Sequence, residues 1–227
     1  MKLACLAVIV TLLAWSQPAS AQLDRISNKE AVAALKAALD KGARQAVSSL
    51  GRTDGFLGDP RVKIPLPESL QKAEGWMRRL GMGRYADELV LTMNRAAEAA
   101  VPEARTLLVG AVKKMTVEDA KGILTGGDTA GTAYFRRSTE EQLRVRFLPI
   151  VSKATARVKL AEKYNEYADK GVRFGLLSQQ DANLDAYVTQ KALDGLFLVI
   201  ADEERKIRQD PVGSASSLIR KVFGALR

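Results

Sequence analysis

Chemistry in this chain has few side chains to draw on, because the sequence holds no histidine and one cysteine, Cys5. Cys5 lies in an expected leader segment, so the remaining chain offers no disulfide, thiol nucleophile, imidazole base or usual zinc ligand. Acid–base work would then fall to two carboxylates brought together by the fold, and Glu98, Asp119, Asp128 and Asp194 are the candidates. A catalytic metal would have to be a hard cation such as calcium or magnesium, held by carboxylates and carbonyls. No EF-hand loop or comparable acidic cluster is present, so neither a metal nor another cofactor is expected, and no residue is assigned a catalytic role.

Three constellations stand out. Asn94 and Glu98, four residues apart, share one face of a helix, with Arg95 beside them and alanines at 96, 97, 99 and 100. Small neighbours let a ligand or another helix come close, so this is either a polar patch in a cleft or a hydrogen-bonded pair that fixes packing. Gly126-Gly127-Asp128-Thr129 separates two expected helices, and free amides at a helix start can cradle an anion. The loop lacks the lysine of a P-loop, and a tight helix–helix turn is the plainer reading. Lys191 and Asp194 lie three apart in a late helix beside Gly195, while Glu203 and Glu204 precede Arg205 and Lys206. Such neighbours form ordinary helical ion pairs unless burial turns them to acid–base use. The candidate ligand-binding set is therefore Asn94, Arg95, Glu98, Asp119, Gly126, Gly127, Asp128, Thr129, Lys191 and Asp194.

The elements that must position these residues read as helices. Ser27-Asn28-Lys29-Glu30 is a capping box opening a helix that Gly51 ends. Residues 52–66 are interrupted by glycine and proline and alternate at Val62, Ile64 and Leu66. With no second strand to pair them, they are expected to form an ordered extended arm packed on helices through Phe56, Leu57, Val62, Ile64 and Leu66. Pro67 begins a helix to about Leu80, and Gly81-Met82-Gly83 separates it from one reaching about Ala100. Pro102 either kinks that helix or starts the next. Thr116-Val117-Glu118-Asp119 caps a short helix ending near Thr125, and Asp128 or Thr129 can cap the segment after it. A third capping box, Ser138-Thr139-Glu140-Glu141, predicts a long helix to about Lys170, bent at Pro149. A last long helix spans about 182–209, and Leu218, Ile219, Val222 and Phe223 suggest a small terminal one. The expected fold is all-α: a single compact multi-helix domain over residues 22–227 with one extended arm at about 52–66.

Residues 1–21 read as a cleavable signal peptide, with Lys2 before an apolar run at 3–15 and the small-residue site Ala19-Ser20-Ala21. That run is too short to span a bilayer, so no transmembrane segment is expected after cleavage. The formal net charge of +9 allows contact with an anionic envelope surface. Arg146, Lys153 and Arg157 lie roughly along one side of the long helix, although no aromatic anchors flank them. Export and an aromatic content of 6% both argue against nucleic acid as a partner.

Several segments carry a resemblance in order along the chain. They are Asp54-Gly55-Phe56-Leu57 with Ile64-Pro65-Leu66-Pro67, then Met93-Asn94-Arg95-Ala96-Ala97-Glu98. Asp119-Ala120-Lys121-Gly122-Ile123-Leu124 follows, with Gly126-Gly127-Asp128-Thr129-Ala130, Tyr187-Val188-Thr189 and Asp194-Gly195-Leu196-Phe197. Together they resemble the uncharacterised bacterial envelope family known as domain of unknown function DUF4197. The resemblance implies a secreted or lipid-anchored helical protein and no assigned activity. This chain departs from the lipid-anchored pattern in having no cysteine at the cleavage site, and has Gly131 where alanine or threonine is expected. The functional expectation is a non-enzymatic periplasmic or secreted protein that binds a small or lipidic ligand, or a protein partner, in a cleft between helices. A carboxylate-dependent hydrolase and a purely structural interaction module are the alternatives.

Overall fold

The computed structural model describes residues 28–81, 83–158, 161, 162, 164, 165 and 183–210. The expected signal peptide and terminal helix lie outside them. Among the described residues the chain is helical: α1 (Asn28–Leu50), α2 (Glu68–Arg79), α3 (Gly83–Ala100), a 3-10 turn (Val101–Glu103), α4 (Ala104–Lys114), α5 (Val117–Thr125), α6 (Ala130–Thr155) and α7 (Leu184–Gln209). None of these helices is long and apolar enough to cross a membrane.

The centre of the fold is the α6–α7 pair, which packs with α3; α6 also meets α4 and α5, and α7 meets α1. The buried stripe of α6 explains its central place. Phe135, Thr139, Leu143, Phe147, Val151 and Thr155 recur at every fourth residue. At 3.6 residues per turn each step advances the stripe by about 40°, so it winds around the helix and demands neighbours on several sides. α7 is buried over a wide face, through Leu184, Val188, Ala192, Leu193, Leu196, Phe197 and Ile200. Phe56, Phe135, Phe147 and Phe197 are fully buried, and each such side chain contributes roughly 1.5–3 kcal/mol.

Local signals account for several helix ends. Pro67 precedes α2, and its carbonyl accepts from the amides of Leu70 and Gln71. Gly81, at φ +75°, ends the turn after α2 in a conformation that suits glycine. Thr116 and Asp119 form a complete capping box at α5. Pro102 neither kinks nor extends α3, which stops at Ala100; it lies in the 3-10 turn that leads into α4.

Three expectations need correction. The arm is ordered but extended only over residues 63–67, because residues 51–62 coil into successive turns. Gly55 N donates to Arg52 O, Gly58 N to Asp54 O, and Val62 N and Lys63 N to Asp59 O. Glycines and aspartates favour such turns, and the Asp59 carboxylate also accepts from the Arg61 amide. The arm buries Phe56, Val62, Ile64 and Leu66 as expected, while Leu57 is only half-buried. The long helix does not start at Ser138. It starts at Ala130, and the Ser138 and Thr139 hydroxyls donate back to the carbonyls of Tyr134 and Phe135 instead of capping anything. It ends at Thr155 rather than near Lys170, with Ala156 and Arg157 in a turn. Finally, neither Asp128 nor Thr129 caps α6: Thr129 occupies the N-cap position without a side-chain bond.

Candidate functional site

Asn94, Arg95 and Glu98 sit on α3 where the arm crosses it, and all three hold the arm. Asn94 is fully buried; its Oδ1 accepts from the amide of Ile64 at 2.8 Å, and its Nδ2 donates to the carbonyls of Ile64 at 2.9 Å and Val90 at 2.8 Å. One side-chain amide thus supplies Ile64 with the donor and acceptor that a neighbouring strand would have given. One turn on, Glu98 Oε1 accepts from the amides of Phe56 at 3.0 Å and Leu57 at 3.2 Å. Its Oε2 accepts from Arg95 Nη1 at 2.6 Å, and Arg95 Nη2 donates to Asp54 Oδ1 at 2.7 Å. Both carboxylate oxygens of this 4% exposed residue are therefore occupied by protein donors. The alanines beside them let the arm lie close, with Ala96, Ala97 and Ala100 fully buried.

The glycine loop occupies a different region. Gly126, Gly127 and Asp128 are exposed, and the Ala130 amide donates to Gly127 O. The helix start behind them already holds an anion, supplied by the protein itself. Glu204, buried on α7, accepts from Gly131 N at 2.9 Å through Oε1, and from Thr132 N and Thr132 Oγ1 at 2.8 Å through Oε2. Arg208 Nη2 donates to Glu204 Oε1 at 2.9 Å and to Ile123 O at 2.9 Å, which ties α5, α6 and α7 together. A carboxylate at a helix N-terminus satisfies free amides and complements the dipole. Gly131 is fitted to this arrangement, because a Cβ there would lie 2.4 Å from Leu39 Cδ2 and 3.1 Å from Glu204 Oε1.

The remaining candidates are dispersed. Asp119 Oδ2 accepts from Thr116 N at 3.1 Å and Thr116 Oγ1 at 2.8 Å. The Thr116 side-chain hydrogen bond, with that from its backbone, holds the Asp119 carboxyl below the usual carboxylate range. Asp194 faces Arg136 Nη1 at 3.4 Å and Gln190 Nε2 at 3.1 Å in a polar cluster with Glu140. Lys191 is exposed and lies 5.7 Å from the ring centre of Tyr187, whose hydroxyl donates to Pro65 O. Apart from Arg95 with Glu98, no two of the ten candidates share a side-chain hydrogen bond or ion pair among the described residues. Those residues also contain no group of three or more Asp, Glu or Cys able to hold a metal. In the sequence Glu204 stands in a charged run with Glu203, Arg205 and Lys206. Its one distinguishing signal was its place on the buried side of α7, four residues after Ile200.

Concave surface lies elsewhere. A groove of about 680 Å³ runs between the arm and the α2–α3 pair, lined by the apolar Leu57, Pro65, Leu66, Val90 and Leu91 together with Arg78 and its ion-pair partners. Arg78 Nη2 bridges Glu74 Oε1 at 2.7 Å and Asp87 Oδ1 at 2.6 Å, so it links the two helices. Leu91 is 43% exposed there.

A family described as Protein of unknown function (DUF4197) matches residues 25–224 of the chain. No curated protein and no solved structure matches it.

Proposed function

Because the chain belongs to this family of unknown function, DUF4197, we propose its role from the geometry: a non-enzymatic envelope protein that binds a small or lipidic ligand in the groove between the arm and the α2–α3 pair. The observation that carries this reading is the groove itself. There apolar side chains, among them the 43% exposed Leu91, border open volume beside fixed charges. Glu98 supports it from the other side, since both of its carboxylate oxygens already accept hydrogen bonds from the protein. Export to the periplasm, as the leader segment suggests, would give such a protein access to envelope lipids.

The test is mass spectrometry of material that co-purifies with the exported full chain and with its Leu91→Glu variant. Leu91 is exposed, so the variant should fold normally. A lipid or small amphiphile retained by the native chain and lost from the variant is the expected outcome. Equal retention by both, or a native chain that carries nothing and binds no added amphiphile, would overturn the reading.

A further inference from the structure

A second recess lies at the opposite kind of surface: about 450 Å³ lined by Arg44, Val47 and Ser48 of α1, Gly51 and Arg52 just after it, and Pro102 and Arg105 at the entry to α4. Three guanidinium groups border it and no carboxylate does. The neighbouring recess, which Arg52 also lines, is acidic, with Asp54, Asp59, Asp202 and Glu203. There Arg61 pairs with Asp59 and Asp202 at 2.6 Å, and Lys206 pairs with Glu203 at 2.7 Å. In the arginine recess only Arg44 has an internal partner, through Nε to Asp40 at 2.7 Å, which leaves both of its terminal nitrogens without one. Arg52 and Arg105 form no ion pair or side-chain hydrogen bond among the described residues. Three like charges around one concavity repel each other, and nothing in the packing of the exposed Arg52 and Arg105 requires arginine.

We infer that this recess is an anion site for a phosphate-bearing group of at least two negative charges, such as a phosphomonoester or pyrophosphate. Guanidinium forks match phosphate oxygens in bidentate fashion, and three of them in one recess suit an anion with several oxygens better than a single carboxylate. Ser48 adds a hydroxyl at the lining, and the recess is open enough for the rest of a larger molecule to extend outward. The same chemistry is offered by a free phosphate compound and by a phosphorylated lipid headgroup. This site is separate from the arm groove and shares no lining residue with it.

The experiment uses the full exported chain, with inorganic pyrophosphate titrated by calorimetry and, in a parallel arm, sedimentation with phosphatidylcholine vesicles with and without phosphatidic acid. Arg52→Gln and Arg105→Gln test the recess. Lys121→Gln, exposed on α5, removes the same charge outside the recess. Each recess variant is expected to weaken binding by about tenfold or more, the usual scale for a charge-assisted hydrogen bond, while Lys121→Gln changes it little. Binding of pyrophosphate in solution identifies a free ligand, and binding confined to phosphatidic acid vesicles identifies a headgroup; either supports the site if the recess variants abolish it. Absence of binding to both probes at low salt, or equal weakening by all three substitutions, would overturn it, the latter showing only diffuse attraction to a basic surface.

Discussion

Asn94 and Glu98 do for the arm what a partner strand and a helix cap do elsewhere, and their chemistry sets what substitution should cost. Asn94→Ala leaves the buried amide and carbonyl of Ile64 without partners, an expected loss of about 1–3 kcal/mol in denaturant unfolding. Asn94→Asp should be worse, since a second acceptor would face the Ile64 and Val90 carbonyls. Glu98→Gln retains one acceptor for Phe56 and Leu57 but turns a donor toward Arg95, so a loss of about 1–3 kcal/mol is expected there too. A Glu98→Gln protein as stable as the native one would show that the clamp is not what holds the arm. That Asn94 and Glu98 share a face was readable from their spacing. Their partners were not, because the bonds reach back 30 to 42 residues to an arm whose backbone geometry no local pattern specifies. Asp119 is the contrasting case: its partner Thr116 is three residues away, and the pair was legible as a capping box. The Asp119 carboxyl should titrate below the ordinary range by side-chain NMR, and Thr116→Ala should move its midpoint upward.

At the level of elements, the helices announced themselves wherever a local stop or start was also a global one. The Gly81 break and the Thr116 cap are examples. Ser138-Thr139-Glu140-Glu141 has the same lettering as a cap but lies eight residues inside α6, where a running helix already provides acceptors for both hydroxyls. The true start of α6 was hidden because the group that satisfies it comes from α7, 72 residues later. Arm and α7 meet closely at Gly195, where a Cβ would lie 2.7 Å from Phe56 Cε1. Gly195→Ala should therefore push the Phe56 ring from its buried seat and cost about 1–3 kcal/mol. Phe56→Ala, which empties that seat, should cost about 3–5 kcal/mol, and the two effects should not add because they act on one contact. Additive losses in a double-mutant cycle would show that the two sites are independent.

For the molecule as a whole, acid stability follows from exposed pairs with a common sign. Asp59 beside Arg61, Asp87 beside Arg78 and Asp119 beside Thr116 all have carboxyls held below their ordinary value of 3.8, chiefly by those side-chain hydrogen bonds. A depressed carboxyl contributes stability that is complete above its unfolded value and is lost as pH falls through its folded value. The urea midpoint should therefore stay level above about pH 5 and decline below about pH 4, with a small slope since these groups are exposed. The two carboxylates that bridge distant segments have a different consequence, in the order of folding events. Glu98 meets amides 41 and 42 residues back, and Glu204 meets amides 72 and 73 residues back, so neither can act until the helices carrying them have docked. Bonds that form after the rate-limiting barrier slow unfolding without speeding folding, so Glu204→Gln is expected to accelerate unfolding in stopped-flow measurements while leaving the refolding rate nearly unchanged. With that outcome, the carboxylate seated at the start of α6 would set the lifetime of the native state more than its speed of assembly.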